Sequence, residues 1–433
     1  MKIQNSEELG RTELRKIALK IAERGLEAID TKSAIQESVR LDGDTLVVSS
    51  KKFSIAKSGK LIVIAVGKCA IDAACALEEI MEKKITGGIV LDVRENNAHA
   101  FPNIEYFAGS HPAPSDTNVE VAKKIVSLLS DLTVDDIVLF VISGGGSTLL
   151  CLPEEGVSCL DEKIILEELT ASAVPIGEIN IVRKHMSLAR GGHLAKYAYP
   201  AKVISLIFSD VPGNDTSVIA SGPTVKDETT IKDADEILLK YGILAKCGIE
   251  HCGLVETPKE DKYFENVYNA IIVSNEKALS AMRKEAEGLS FDVLVEDTSL
   301  NGEAREVGER IAHRIKETNP KTVLLYGGET TVVVKGKGRG GRNQELALSA
   351  LHHINTGDSE LVLSLASDGR DNGKYAGAIA DSETRGKTES MNLDITEYLE
   401  NNNATEFFEK IEDLIITGDT GSNVSDLIIA IKN

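Results

Sequence analysis

Short apolar runs alternate along this chain with longer amphipathic segments. Several runs are apolar at every position, which is typical of strands buried on both faces of a parallel sheet. The pattern predicts strands over residues 61–67, 87–93, 104–110, 136–143, 202–210, 268–274, 291–296, 321–327, 361–368 and 426–431. It predicts helices over residues 70–83, 116–130, 160–171, 177–197, 275–288, 302–316 and 343–354. This alternation favours a layered α/β protein with mostly parallel sheets.

The first thirty residues are charged throughout and lack the apolar block of a signal peptide. Their apolar positions recur at helical spacing, which predicts an amphipathic helix. These positions are Leu14, Ile17, Ala18, Ile21, Gly25 and Ile29. No apolar run approaches the roughly 18–20 residues that a membrane-spanning helix needs. We therefore expect a cytoplasmic protein with no membrane partner.

A shift in composition predicts the domain boundary. Residues 224–266 are rich in Lys, Asp and Glu and contain no strong strand, and the strand–helix rhythm restarts at Tyr268. We expect an N-terminal Rossmann-like α/β domain over residues 1–250 and a C-terminal α/β domain over residues 251–433. The pattern leaves open which of the two domains the last strand joins.

The charge balance narrows the range of partners. The 433 residues include 48 Lys and Arg against 68 Asp and Glu, a net charge of −20. Such an excess argues against nucleic acid or an anionic membrane as a bulk partner, because both are polyanions. The six cysteines include no C-x2-C pair, and we interpret them as small buried residues. Local clusters of basic residues are conspicuous in such an acidic chain.

The sharpest basic cluster is the segment Lys335–Glu345. It carries Lys337, Arg339, Arg342 and Asn343 among glycines that allow close backbone approach to a ligand. The segment opens a predicted helix, whose N-terminus favours anions, so it suits a phosphate group. Its glycines also satisfy G-x-G-x-x-G, which alone is a weak dinucleotide signal. The alternative is a solvated flexible turn.

A second glycine-rich segment follows the predicted strand 136–143. It consists of Ser143, Gly144, Gly145, Gly146 and Ser147. Consecutive glycines at a strand end can present backbone N–H groups to phosphate or carboxylate, although a plain tight turn explains the same pattern.

Lys68 lies at another strand-to-helix turn. A lysine at such a turn can reach the edge of a sheet where open α/β folds bind ligands. A surface lysine without a ligand is the alternative.

Carboxylates at strand ends are candidates for metal binding or proton transfer. Asp210 and Asp368 each follow a serine at the end of an apolar run, and Glu329 and Asp371 lie in comparable glycine-rich segments. Such groups can hold Mg²⁺ beside phosphates or accept a proton from a substrate hydroxyl. Turn capping is the alternative in a chain so rich in acids.

A basic triplet is the last candidate. Arg183, Lys184 and His185 could face a substrate carboxylate, or they could form a solvated helix face. His111 precedes a proline and reads as a loop residue.

At these motifs the chain resembles the MOFRL-type glycerate 2-kinases, the class II glycerate kinases. The resemblance runs from about Lys16 to the C-terminus and is specific because several long segments occur in the same order. They are VGKCA, GSHPAPSDTN, VISGGGSTLL, INIVRKHMSLARGGHLA, SDVPGNDTSVIASGPT, GGETTVVVKGKGRGGRNQELAL, SDGRDN, AGAIAD and TGDTGSNVSDL.

The resemblance implies both a fold and a reaction. It implies a DUF4147-like domain and a MOFRL-like domain with an active-site cleft between them. It also implies transfer of the γ-phosphoryl group of ATP to the 2-hydroxyl of D-glycerate, with Mg²⁺, which gives 2-phosphoglycerate and ADP.

Residue roles follow from the motifs that match. Lys68 and Arg342 correspond to the family's lysine of the GK motif and arginine of the GGRNQE motif, which look like phosphate-stabilising cations. With Asp210 they form the expected catalytic set. The expected phosphate-binding set is Ser143, Gly144, Gly145, Gly146, Ser147, Lys337, Arg339 and Asn343. The expected substrate set is Arg183, Lys184 and His185, and the expected metal set is Glu329, Asp368 and Asp371.

Two other functions remain open at this stage. One is an NAD(P)H-dependent hydroxypyruvate reductase, supported by the G-x-G-x-x-G match but not by the basic residues inside that loop. The other is a sugar-acid binding protein without catalysis. The sequence leaves the oligomeric state open, a homo-oligomer included.

Overall fold

The protein divides into two compact units. The structure, a computed structural model, describes residues 1–95 and 100–433. One unit is Ala34–Ile272, here called the insert unit. The other combines Met1–Ser33 with Val273–Asn433 and is called the terminal unit. The expected boundary near residue 250 differs from this division at both ends, because the first 33 residues fold with the C-terminal part.

The described residues form the following elements. The strands are β1 (Val39–Asp42), β2 (Thr45–Val48), β3 (Lys51–Ser54), β4 (Leu61–Val66), β5 (Gly87–Asp92), β6 (Ile104–Ala108), β7 (Ile137–Ile142), β8 (Lys202–Phe208), β9 (Val267–Val273), β10 (Asp292–Leu300), β11 (Thr322–Gly328), β12 (Glu360–Ala366), β13 (Gly377–Asp381), β14 (Leu414–Ile415) and β15 (Asp426–Lys432). The α-helices are α1 (Ser6–Leu9), α2 (Glu13–Ala28), α3 (Thr31–Ser38), α4 (Ala70–Met81), α5 (Asp116–Leu129), α6 (Gly146–Leu149), α7 (Cys159–Ala171), α8 (Ile176–His185), α9 (His193–Ala198), α10 (Ile231–Lys240), α11 (Ile243–Cys247), α12 (Asn275–Gly288), α13 (Ala304–Lys316), α14 (Arg342–His352), α15 (Ser382–Ser390), α16 (Ile395–Glu400) and α17 (Ala404–Ile411).

The insert unit is built on a sheet of order β6-β5-β4-β7-β8-β9. The pairs from β6 to β8 are all parallel, as the continuous apolar runs predict. Side chains of these strands pack with α5 and α9 in one apolar cluster, and α4 packs on the same strands. A small antiparallel sheet, β1-β2-β3, precedes it. The parallel arrangement brings the carboxyl ends of β4, β7 and β8 to one edge.

The charged segment 224–266 belongs to the insert unit and is not a linker. It contributes α10 and α11, which pack against α7 and α8 in a second apolar cluster. Ile237 and Leu238 are buried there, although the acidic and basic residues around them dominate the composition. The composition shift therefore marks an amphipathic helical layer, whose solvent face carries the charges.

The terminal unit has a mixed sheet of order β10-β11-β15-β12-β13-β14. β10 and β11 are parallel, whereas β15 is antiparallel to both β11 and β12, and β13 is antiparallel to β12. The expectation of mostly parallel pairing is therefore wrong for this sheet, while the α/β class is confirmed. A strand buried on both faces has the same apolar pattern in either direction, so the pattern could not tell the two apart. The last strand lies in the centre of this sheet.

The N-terminal helix packs on the terminal unit. α2 lies so close to α12 that a Cβ on Gly25 would be 2.7 Å from Cγ of Met282. Arg15 of α2 is fully buried and forms ion pairs with Asp381 and Asp413 at 2.7 and 2.8 Å. Removing one partner of such a pair leaves an uncompensated buried charge, which costs about 3–5 kcal/mol. These contacts fix residues 1–33 to this unit.

The ten predicted strands are all present, with ends shifted by a few residues. The helix predicted over residues 177–197 is broken into α8 and α9, because Gly191 and Gly192 adopt φ values of 54° and 88°. β1, β2, β3, β13 and β14 were not predicted. In the described part of the chain, no helix is both long and apolar enough to cross a bilayer.

Candidate active site

Three strands of the insert unit end beside one another at residues that the sequence singled out. Lys68 follows β4, Gly144 follows β7 and Asp210 follows β8. The amide of Lys68 donates a hydrogen bond to the carbonyl of Gly144 over 2.9 Å. A Cβ on Gly67 would lie 2.1 Å from Oγ of Ser143, and φ at Gly67 is 123°, so only glycine fits there. The carboxyl edge of a parallel sheet is where open α/β folds bind ligands.

The loop Ser143–Ser147 presents two amides toward this edge. Within the described residues, the N–H groups of Gly144 and Gly145 donate to no protein acceptor. A Cβ on Gly145 would lie 3.4 Å from Cγ of Lys68, and one on Gly144 would lie 2.4 Å from Oδ2 of Asp210. Two adjacent amides beside the side chain of a lysine form a favourable position for an anion.

His111 is a loop residue, as interpreted from the sequence, and its side chain lies beside the glycine-rich loop. Its Nε2 would be 3.6 Å from a Cβ on Gly145. Partial burial and the neighbouring charge of Lys68 lower the pKa of His111 below its ordinary value. The imidazole is therefore neutral at physiological pH and can accept a hydrogen bond there.

A chain of hydroxyl and amide groups joins the glycine-rich loop to α8. Oγ of Ser147 is 3.0 Å from Oγ of Ser221, which donates to Oδ1 of Asn180 over 3.0 Å. Ala220 and Ser221 have φ values of 49° and 58°, in the left-handed region that side chains disfavour. This strained turn brings the serine hydroxyl between the loop and the helix.

Arg183 lies one helical turn after Asn180 on α8, on the same face. Within the described residues its half-buried guanidinium forms no ion pair or hydrogen bond. Burial, with the like charge of Arg190 added, lowers the pKa of Arg183 to about 10. Arg190 is itself neutralised by buried Glu162, whose Oε1 lies 2.7 Å from Nη2. A partly desolvated cation without a partner is stabilised by an incoming carboxylate more than a solvated or already paired cation is.

The other two members of the basic triplet have internal partners. Nζ of Lys184 lies 2.5 Å from Oδ1 of Asp227, and both side chains are buried. The ring of His185 is buried and makes hydrogen bonds with the carbonyl of Val255 and the hydroxyl of Thr229. Their expected substrate contacts are therefore replaced by contacts inside the insert unit, and Arg183 alone stays a candidate.

In the terminal unit, the basic loop 335–341 does not present its amides to a ligand. Oδ1 of Asn402 accepts from the amides of Lys335 and Gly336 at 2.7 and 2.9 Å. Oδ1 of Asn401 and Oδ1 of Asn403 accept from Lys337 and Arg339 at 3.1 and 3.0 Å. The expected phosphate cradle is thus occupied by three asparagine side chains. The side chains of Lys337 and Arg339 are exposed, and Arg339 contacts Glu409 at 2.7 Å.

The N-terminus of α14, expected to bind a phosphate, is occupied by a protein carboxylate. Asp371 accepts hydrogen bonds from the amides of Asn343 and Gln344 at 3.0 and 2.9 Å, and from the side chains of both residues. Asp371 is buried, and so is Asn343. In this structure Asn343 and Asp371 bond to each other, whereas a phosphate contact was expected for Asn343 and a metal for Asp371.

Arg342 is held by two carboxylates. Its Nε and Nη2 contact the buried Asp426 at 2.6 and 2.9 Å, and Nη2 also contacts Glu329 at 2.7 Å. Burial alone would lower the pKa of Arg342, but the hydrogen bonds and the charge of Asp426 outweigh it and raise the pKa. Within the described residues, Nη1 has no partner, so one edge of this fixed cation remains for a ligand.

The expected metal set does not form a cation site. Within residues 1–95 and 100–433, Glu329, Asp368 and Asp371 are not brought within ligand distance of one another. Glu329 is engaged by Arg342 and Asp371 caps α14, as described above. Asp368 is half-buried, and its Oδ1 accepts from the amide of Arg370 over 2.9 Å. Within the described residues, Oδ2 of Asp368 and Oε2 of Glu329 accept no hydrogen bond, so each of these two side chains has one carboxylate oxygen left for a cation.

Comparisons with known proteins give the family. A model described as a domain of unknown function, DUF4147, matches residues 17–251, and a model of the MOFRL family matches residues 322–426. A glycerate 2-kinase of Pyrococcus horikoshii is 38% identical over 438 residues, which cover 97% of each chain. The chain belongs to the MOFRL-type glycerate 2-kinase family.

Two further proteins are similar to this chain over most of its length. A crystal structure of glycerate kinase from Thermotoga maritima superimposes with a TM-score of 0.86 at 35% identity, over 97% of this chain and 100% of that one. A protein of Agrobacterium vitis, described only provisionally as a hydroxypyruvate reductase, is 36% identical over 85% of this chain and 98% of its own. Members of the family thus carry two different names.

Three residues of the candidate site were not predicted from the sequence. Asn180 and Ser221 are ordinary polar residues whose chain of contacts exists only in the folded protein. Asp426, which fixes Arg342, begins an apolar strand and was not considered an acid of the site. It lies in the segment TGDTGSNVSDL, one of the motifs that carry the family resemblance, and this was the signal that could have drawn attention to it.

Proposed function

We propose that this protein is a glycerate 2-kinase that transfers the γ-phosphoryl group of ATP to the 2-hydroxyl of D-glycerate. The observation that carries the proposal is the arrangement at the carboxyl edge of the insert unit, where Lys68, two unoccupied amides and Asp210 lie within a few ångströms. Phosphoryl transfer needs charge neutralisation and in-line positioning more than covalent chemistry, and these groups supply both. The family relationship supports the same reaction.

Lys68 and the amides of Gly144 and Gly145 bind the transferred phosphoryl group. Negative charge is spread over its oxygens in the transition state, and donors fixed in advance stabilise it without reorganisation. The amides are held in place because the loop is bonded to β4 and packed against the neighbouring strand ends. We expect Lys68 to supply the largest single share of this stabilisation.

Asp210 and Arg183 act on glycerate. Asp210 orients the 2-hydroxyl and accepts its proton as the oxygen bonds to the γ-phosphorus, while the bond from that phosphorus to the bridging oxygen of ADP breaks. Arg183 binds the glycerate carboxylate, because its partly buried guanidinium has no protein partner among the described residues and follows Asn180 on the same face of α8. His111 serves as a neutral acceptor for a second hydroxyl.

In the terminal unit, Arg342 is the candidate phosphate ligand. Its fixed orientation and its remaining Nη1 suit a phosphate oxygen better than the exposed side chains of Lys337 and Arg339 do. These two exposed cations contribute long-range attraction to a polyanion such as ATP. Their substitution should therefore weaken ATP binding in a salt-dependent way and leave kcat almost unchanged.

Mg²⁺ accompanies ATP in this proposal. The carboxylates expected to hold it do not form a cation site, so the ion is bound chiefly by the phosphate oxygens of the nucleotide, as Mg²⁺ often is. When bound, Mg²⁺ neutralises part of the phosphate charge. Asp368 and Glu329 are the two carboxylates of the expected set that could add a ligand.

The reductase alternative loses its main support. Its G-x-G-x-x-G match lies in the loop 335–341, whose amides are bonded to Asn401–Asn403. A dinucleotide fingerprint works by offering such amides, and a free helix N-terminus, to a pyrophosphate. In this chain, protein side chains already bond to the amides of the loop and to the N-terminus of α14.

Steady-state release of ADP from ATP–Mg²⁺ and D-glycerate tests the proposal. Lys68→Met should lower kcat at least about 100-fold, since it removes a cation from the reacting group. Lys52→Met, which alters an exposed lysine of β3, is the matched control and should keep wild-type kinetics. Equal rates for the two variants would contradict the proposed site. Absence of ADP release with the wild-type protein would favour a binding protein without catalysis.

A further inference from the structure

Three potential metal ligands lie together on the surface of the terminal unit. Glu309 and His313 are four residues apart on α13, so their side chains share one face of that helix. His353 follows the last residue of α14 directly. One ligand atom from each of the three lies within 4.8 Å of those of the other two. Within the described residues this is the one group of three such side chains that meets this distance.

We propose that Glu309, His313 and His353 bind a divalent transition-metal ion of the borderline class, Zn²⁺ above all, in a site separate from the proposed phosphoryl transfer. Two imidazoles and one carboxylate form a donor set that Zn²⁺ and its neighbours prefer over Mg²⁺ or Ca²⁺. The inference does not depend on the proposed function, because no residue of that site contributes to it.

The distances are close to those of a metal site. Nε2 of His313 and Nε2 of His353 lie 3.7 and 3.8 Å from Oε1 of Glu309. Two ligands of a tetrahedral zinc ion are about 3.4 Å apart when each bond is about 2.1 Å long. The two His–Glu distances therefore need to shorten by roughly 0.3 and 0.4 Å, which small rotations of surface side chains supply. The two imidazole rings are already in contact, with centroids 4.7 Å apart.

The local electrostatics allow binding at neutral pH. Partial burial, with the neighbouring His313 added, lowers the pKa of His353, and Glu309 opposes this only in part. Neutral imidazole is the form that binds a metal, so the direction of this shift favours binding. His353 also lies at the C-terminal end of α14, where the helix dipole favours cations. Lys316 bonds to the carbonyl of His353 and is the nearby positive charge that opposes binding.

A metal at this position would join two helices. α13 and α14 pack on the same face of the terminal sheet and share one apolar cluster. A bond from each helix to one ion would restrain their separation, and binding to the folded state alone would raise the melting temperature. Glu309 and His313 are exposed, so solvent can supply a fourth ligand.

Calorimetric titration of the untagged protein with ZnCl₂ tests the proposal, with Co²⁺ absorption in the visible range as the spectroscopic readout. We expect one equivalent of Zn²⁺ to bind, and His313→Ala or His353→Ala to weaken binding at least about tenfold. His251→Ala alters an exposed histidine of the insert unit that lies 3.9 Å from Glu154, and it should change nothing. The same melting temperature for all variants without metal would show that each one folds.

The titrations can give one result that supports the zinc site and two that overturn it. Loss of Zn²⁺ affinity and of the Co²⁺ bands in His313→Ala and His353→Ala, but not in His251→Ala, would support the site. Unchanged stoichiometry and affinity in both His313→Ala and His353→Ala would overturn it. Equal losses in all three variants would also overturn it, because binding would then be unspecific.

Discussion

Replacing Gly144 by alanine should displace the carboxylate of Asp210 without removing any functional group. The backbone at Gly144 lies outside the left-handed region, so alanine adopts it without strain. The new Cβ would lie 2.4 Å from Oδ2 of Asp210. Contacts between carbon and oxygen settle at about 3.3 Å, so the carboxylate must retreat by roughly 0.9 Å. The amide of residue 144 stays in place.

A displacement of this size has a calculable effect on the rate. Misplacing a reacting group by about 1 Å can cost about 100-fold in rate, which corresponds to about 2.7 kcal/mol of barrier. We therefore expect kcat of Gly144→Ala to fall about 100-fold, with a smaller change in KM for ATP. Gly177→Ala in α8 is the matched control, since a Cβ there meets nothing within 4 Å.

The double variant strengthens this assay. If Gly144→Ala acts through Asp210, then combining it with Asp210→Asn should cost little more than Asp210→Asn alone. Steady-state kinetics of the four proteins measure this, with thermal melts to confirm folding. A kcat of Gly144→Ala within threefold of wild type would refute the role of Asp210. Additive losses would show that the alanine acts through another group.

Four further predictions concern three side chains. Arg183→Gln should raise KM for glycerate about tenfold or more, since a charged hydrogen bond contributes about 1.5–3 kcal/mol. In the wild-type protein the same KM should rise as pH approaches 10, where Arg183 loses its charge; a flat profile to pH 10.5 would contradict this. Asp371→Ala should lower the free energy of unfolding by about 2–4 kcal/mol in urea, because it uncaps α14, and should leave the Mg²⁺ dependence of activity unchanged. Asn402→Ala should speed hydrogen exchange at the amides of Lys335 and Gly336, and unchanged exchange would show that these amides are protected by other groups.

The strands were predictable because their apolar runs are long and nearly uninterrupted. β1, β2 and β3 were missed since each has only four residues, and β14 has two. The order of the strands in the terminal sheet could not be predicted from the sequence either. β15 is the last strand in the chain but lies between β11 and β12, and a pattern along the chain does not record the neighbours of a strand.

The two glycine-rich loops show what the sequence could predict about the site. Both combine glycines with neighbouring cations, and both were expected to bind phosphate. In the first, the amides of Gly144 and Gly145 have no acceptor within the described part of the chain. In the second, Asn401–Asn403 occupy the amides from 64 to 67 residues away in the sequence. Glycine content predicts that a backbone can be approached, but tertiary contacts decide whether its amides remain available.

The predicted domain boundary differs from the division into compact units for a related reason. Composition distinguishes polar from apolar segments, whereas a domain is defined by what packs together. α2 was predicted correctly as an amphipathic helix, but nothing local shows that its buried Arg15 meets Asp381 and Asp413 almost 400 residues later. Likewise, α10 and α11 carry many charges and still bury one apolar face.

The most direct test of the central claim is to identify the product formed from D-glycerate and ATP–Mg²⁺. Correlated ³¹P and ¹H NMR of the reaction mixture distinguishes phosphorus on carbon 2 from phosphorus on carbon 3. Our account predicts ADP and 2-phosphoglycerate in equal amounts. Phosphorylation at carbon 3, or oxidation of NADH with hydroxypyruvate in place of phosphoryl transfer, would contradict it.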